Sequence, residues 1–179
     1  MPVAYENFRG ETYFLHSKKT KKGNTTFHFS KQSKGAADIE DIPKGFEIYE
    51  EPNGKVYLKK KIKQYIDAKE IEIIQNGIEK YSEIEDFKLD IKKDIVYIYT
   101  VDNSFANGLI PKHLLNKYKQ YDTQLRFVLI DEDERIFEVE RFCYLGSVDD
   151  WITLDRSTNL EKLVQDYTHH LGKESFYLF

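Results

Sequence analysis

The chain of 179 residues is poor in the features that mark secreted, membrane and motif-bearing proteins. It has one cysteine, so Cys143 cannot close an internal disulfide, and a reduced, cytosolic setting is expected. No apolar run approaches the ~20 residues of a membrane span. The first nine residues carry charge and no apolar h-region, so a secretory signal peptide is not expected. There is no G-x-x-x-x-G-K-[ST], no G-x-G-x-x-G, no H-E-x-x-H, no G-x-S-x-G and no kinase signature set. P-loop nucleotide hydrolysis and dinucleotide oxidoreduction therefore lose support, while an enzyme assembled from scattered residues stays open. No repeat of fixed period and no low-complexity linker is found.

Core-forming residues are plentiful. Hydrophobic residues make up 40% and aromatics 15%, enough for one domain or two small ones. The net charge is -4, but it is uneven. Residues 1-64 hold 13 Lys/Arg and 8 Asp/Glu, a net of +5, and residues 65-179 hold 14 and 23, a net of -9. This pattern suggests a basic β-hairpin region (1-64) and an acidic α+β region (65-179), either as two parts or as one continuous domain. The basic third can serve a phosphate-bearing or acidic partner. Alternatively it docks on the acidic remainder or presents solvated lysines.

Period-2 alternation places Phe27 and Phe29 on one strand face and Thr26, His28 and Ser30 on the other. Phe46-Glu51 and Lys55-Lys61 read as a hairpin, with Asn53-Gly54 suggesting a type I′ turn. Phe46, Ile48, Val56 and Leu58 form its buried face, and Tyr49, Tyr57, Lys55, Lys59 and Lys61 the other. Asp67 and Glu70 form a capping box before a helix over Ala68-Tyr81, striped by Ile71, Ile74, Ile78 and Tyr81. Gly77 inside it marks a close approach to a neighbouring strand. Hairpins over Phe87-Thr100 and Leu125-Tyr144 follow, separated by a polar loop at Asp102-Gly108 and a short helix from Pro111 to about Tyr121. Thr158 and Glu161 cap a last helix, Asn159-Leu171, stopped by Gly172. Tight turns dominate, so the fold class is α+β, with antiparallel β-hairpins and two or three packing helices.

Five clusters carry candidate chemistry. Four successive carboxylates, Asp131 to Glu134, offer oxygen ligands for a hard cation but lack EF-hand spacing, so solvated charge at a hairpin tip competes. Asp149 and Asp150, in a loop after a strand, suit a hydrolase, with or without a metal, against a local turn or cap. Cys143 reads as a small buried hydrophobe unless a histidine activates it. The pairs His16/His28 and His169/His170 are weak metal evidence. Lys18, Lys21, Lys22, Lys59 and Lys61 form a basic surface with Tyr57 available for stacking, a pattern that suits single-stranded nucleic acid.

Two stretches carry a resemblance. One runs through Gly10-Glu11-Thr12-Tyr13-Phe14-Leu15, Lys19-Thr20-Lys21-Lys22-Gly23 and Ile42-Pro43-Lys44-Gly45-Phe46-Glu47-Ile48-Tyr49-Glu50. The other is Arg141-Phe142-Cys143-Tyr144-Leu145-Gly146-Ser147-Val148-Asp149-Asp150-Trp151, followed by His170-Leu171-Gly172-Lys173-Glu174-Ser175-Phe176-Tyr177. Together they resemble a family of uncharacterised bacterial proteins, which implies a bacterial cytoplasmic protein and no particular activity.

The leading expectation is a non-enzymatic binding module with a nucleic acid or an acidic protein as partner, no cofactor and no membrane. The alternative is the hydrolase built on Asp149 and Asp150.

Overall fold

The computed structural model describes residues 2-101, 115-144, 146 and 149-178. Among these, ten strands in antiparallel sheets and three α-helices make an α+β protein, as the alternation and capping signals require. The chain forms two compact units. The first comprises residues 1-62 with 103-120, and the second residues 63-102 with 121-179. A single cut near residue 64 misses the second crossing, because a stretch between two strands of the second unit belongs to the first. That stretch adds three lysines and no acid. The first unit thus holds 15 Lys/Arg against 8 Asp/Glu, a net of +7, and the second 12 against 23, a net of -11.

In the first unit, β1 (Ala4-Glu6), β2 (Thr12-Lys19) and β3 (Thr25-Ser30) form a sheet in that order, and β4 (Phe46-Glu50) pairs with β5 (Val56-Lys60). A helical turn, α2 (Leu115-Tyr118), completes its described part. The expected helix from Pro111 begins outside the described residues, as does the Asp102-Gly108 loop, and Tyr121 opens a strand instead of ending a helix. Leu15 stands opposite Phe29 and Ser17 opposite Phe27, so the apolar face of β2-β3 is the one the alternation gives. Between β3 and β4 the chain is pinned partway, since Ala37 is buried and its N–H donates to the Leu15 carbonyl.

The Asn53-Gly54 turn does join two paired strands, with Ile48 opposite Leu58 and Tyr49 opposite Tyr57. It is not type I′. The Gly54 N–H donates to the Glu51 carbonyl, and Gly54 has φ +83° while Asn53 does not adopt positive φ. Pro52 at the second turn position favours a type I turn, and Gly54 supplies the left-handed residue that follows. The Gly54 carbonyl accepts from buried Asn7 Nδ2 at 2.6 Å, and Asn7 Oδ1 accepts from the N–H groups of Arg9 and Glu11. The Glu50 carboxylate accepts from the Tyr5 hydroxyl at 2.7 Å and the Phe8 N–H at 2.9 Å. Asn7 and Glu50 therefore lock the β1-β2 turn to the β4-β5 hairpin.

The second unit is a meander of five strands in the order β10-β9-β8-β7-β6, with β6 at Phe87-Lys92, β7 at Ile95-Val101, β8 at Tyr121-Asp131, β9 at Ile136-Tyr144 and β10 at Asp149-Ser157. Helices α1 (Ala68-Tyr81) and α3 (Leu160-Thr168) cover one face. Val96, Ile98, Leu125, Phe127, Phe137 and Val139 meet Ile74, Ile78, Leu163 and Val164 in one core. Asp67 and Glu70 make the full reciprocal capping box of α1. Arg135, at φ 51°, then grips both carboxylate oxygens of Glu70, tying the β8-β9 turn to the helix start. Helix α3 is capped by Asn159, whose side chain accepts from the Lys162 N–H, and not by Thr158. It ends at Thr168, so Gly172 lies in the turns beyond it. Gly77 approaches Val164 of α3, not a strand.

Candidate functional site

The β4-β5 hairpin brings together part of the basic aromatic surface. Tyr49 and Tyr57, directly opposite, have ring centroids 6.5 Å apart and an interplanar angle of 27°. The Lys55 ammonium lies 4.9 Å from the Tyr57 ring centroid and that of Lys59 4.6 Å from Tyr49, within cation-π range. The Tyr57 hydroxyl also raises the pKa of Lys55, so this ammonium is held charged. Tyr57 is 37% exposed, enough to offer a ring face. Glu47 stands opposite Lys59 in the ladder and offsets part of the local charge. Lys61 is exposed just past β5.

The other lysines occupy a different sheet. Lys18 is opposite Thr26 on β2-β3, on the face that carries His16 and His28, and Lys21 and Lys22 are exposed in the turn. The two clusters are thus a hairpin face centred on Tyr49 and Tyr57 and a turn-proximal group on β2-β3. His16 and His28 are cross-strand neighbours with stacked rings 5.3 Å apart, and His16 Nε2 bonds the Gln32 carbonyl at 2.8 Å.

The hydrolase candidates do not converge. The region expected as a loop is strand β10, with Asp149 opposite Tyr144 and Asp150 opposite Cys143. Successive strand residues leave on opposite faces, so the two carboxylates cannot line one concave site. Both are exposed, and Asp150 Oδ1 accepts from the adjacent Trp151 N–H at 2.8 Å, a contact with its own neighbour along the strand. Arg156, on the same strand, pairs with Glu138 at 2.9 Å. At the acidic tip Asp131 Oδ1 accepts from the N–H groups of Asp133 and Glu134, closing the turn on itself. Among the described residues no three His, Cys, Asp or Glu side chains are grouped to hold a metal ion. Cys143 is half-buried in β9, and its sulfur accepts from an Arg141 guanidinium N–H at 3.3 Å.

His169 and His170 lie just beyond α3 with ring centroids 3.7 Å apart. Burial, together with the neighbouring His169 and Lys173 charges, lowers the pKa of His170 below its ordinary value. Its Nδ1 meets the Ser175 hydroxyl at 2.8 Å. The folded state favours neutral His170, so its contribution to stability is full above the unfolded value near 6.5 and is lost as pH falls through the lower folded value. NMR titration of the His170 imidazole should give a midpoint below that of a histidine in the denatured chain; an equal or higher midpoint contradicts the burial argument.

A larger cluster escaped the sequence reading. On the sheet face of the second unit away from α1 and α3, the Arg126 guanidinium lies 4.2 Å from the Trp151 ring and 5.6 Å from Tyr97. Trp151 also meets Phe142 and Tyr97 edge-on. Arg126 Nε donates to Glu140 at 2.5 Å, so the guanidinium charge is neutralised within the cluster. These residues come from four strands, and no local pattern links them.

No protein-family model, no curated protein and no solved structure matches this chain. Among the described residues no helix is long and apolar enough to cross a membrane.

Proposed function

We propose that the protein is a non-enzymatic binding module that engages single-stranded nucleic acid through the first unit, acting in the bacterial cytoplasm. One observation carries the reading: the Tyr49-Tyr57 pair lies between the ammonium groups of Lys55 and Lys59 on one hairpin face, in a unit of net charge +7. Stacked aromatics offer π-faces to bases of any sequence, and lysines release counterions when they meet phosphates. The lone Cys143 and the bacterial resemblance support the compartment.

Binding should weaken as salt rises, with a log-log slope near -0.7 per phosphate contact on a single strand. Changing both Lys59 and Lys61 to Glu should remove binding. Tyr57→Ala should cost ~1-3 kcal/mol of binding energy if a base stacks there. Thermal unfolding of each variant separates lost binding from lost fold. If no oligonucleotide binds at ~50 mM salt, where phosphate contacts are favoured, the nucleic-acid reading fails and an acidic protein becomes the partner to seek.

A further inference from the structure

Strand β3 runs beside β5 without pairing to it, and a cleft of about 360 Å³ opens between them. Tyr13, Phe27 and Phe29 line it from the three-stranded sheet, and Val56, Tyr57 and Leu58 from the hairpin. Four of these six side chains are aromatic. Its volume is near the lower end of the ~300-1,000 Å³ of small-molecule sites, which suits one ring system and not a length of polymer. Phe27 and Phe29 share a strand face, and side chains two residues apart on a strand are spaced by about 6.8 Å, twice the separation of stacked rings.

Charge selects among flat ligands. Lys31 reaches the Tyr13 ring at 5.5 Å but is bound to Glu11 at 2.6 Å, so its charge is offset. Lys55, also lining the cleft, is exposed and rests on Tyr57. An aromatic slot with an ammonium group at its mouth complements a planar ring that carries an anionic group close by.

We infer that this cleft takes a single unpaired nucleobase from a bound strand, with the adjoining phosphate at Lys55. The inference rests on the proposed nucleic-acid reading and adds to it an inserted base beside the surface stack on Tyr57. Insertion removes one base from water on both faces, whereas stacking on an exposed ring covers one.

The test compares a short oligothymidylate with an abasic oligonucleotide of equal length, which keeps every phosphate. The base-bearing strand should bind roughly 5- to 150-fold more tightly, the range that one base-aromatic contact of ~1-3 kcal/mol gives at 1.4 kcal/mol per tenfold. Phe27→Leu keeps apolar bulk but removes an aromatic wall, and should erase the cleft's share of this ratio while the share of the Tyr57 stack remains. Abasic binding and its salt slope should stay unchanged. Phe27→Ala is a second variant, with thermal unfolding as the check that both fold. A 2-aminopurine placed within the strand should change its emission on binding to the native protein and not to Phe27→Leu. If the strand binds but both variants retain the full ratio, the cleft inference is overturned while the surface reading stands. If thymidine monophosphate alone binds as tightly as the oligomer, the occupant is a free nucleotide and the strand-insertion inference is overturned. If neither oligonucleotide binds, the proposed function fails, and the inference with it.

Discussion

Gly77→Ala should destabilise the protein, although alanine is the better helix former. Helix propensity alone favours Ala by about 1 kcal/mol at an interior position. A Cβ at residue 77, however, falls far inside van der Waals contact of Val164 Cγ1 and 3.4 Å from Val164 Cβ. Val164 is 1% exposed and sits in a helix, where a β-branched side chain has essentially one rotamer, so it cannot swing aside cheaply. Helices α1 and α3 would have to separate over a core in which Ile74 and Ile78 are fully buried. Overpacking of this kind costs about 3 kcal/mol, leaving a net loss of about 2 kcal/mol after the propensity gain. The double variant Gly77→Ala/Val164→Ala adds one methyl to α1 and removes two from α3, Cγ1 among them, and should recover part of that loss, showing coupling in a double-mutant cycle. Urea unfolding followed by the single Trp151 measures both. A Gly77→Ala protein more stable than the parent would mean that propensity, and not the helix contact, fixes this residue.

How far such features were legible depends on how local their cause is. The capping box of Asp67 and Glu70 spans four residues and was readable, as was the face assignment of Tyr49, Tyr57 and Lys59, which needs only a period of two. The glycine in α1 announced a close approach, but the partner lies 87 residues away, so its identity was not readable. The cap of α3 slipped by one residue because Thr158 and Asn159 are both good N-caps, and backbone geometry decides between them. Strand β10 was missed for two reasons. It is an edge strand whose Asp149, Asp150, Asp155 and Arg156 carry charge on both faces, and a bulge between Thr153 and Asp155 breaks the alternation. That error produced the Asp149-Asp150 site, since two carboxylates in a loop can converge while two in a strand cannot. The β3-β5 cleft was invisible because its walls belong to strands that do not pair.

Arg126→Met should cause the largest loss in the second unit, about 4-5 kcal/mol. Arg126 and Glu140 are opposite one another on β8 and β9, with side chains only 18% and 14% exposed. Removing one member of a buried pair leaves the other charge without compensation, which costs about 3-5 kcal/mol, and partial exposure puts this case at the low end. The guanidinium also rests on Trp151, a cation-π contact of about 1-2 kcal/mol at this degree of burial. Arg126→Lys should fall between, because a lysine keeps the charge but loses the planar stack and the Nε donor. Pairing Arg126→Met with Glu140→Leu removes the stranded carboxylate and should restore most of the stability, since well-packed apolar replacements of buried ion pairs are often neutral. Denaturant unfolding followed by Trp151 emission reports on the cluster directly. If Arg126→Met and the double variant share one midpoint, the two side chains are uncoupled, and the guanidinium serves only to pack against the rings.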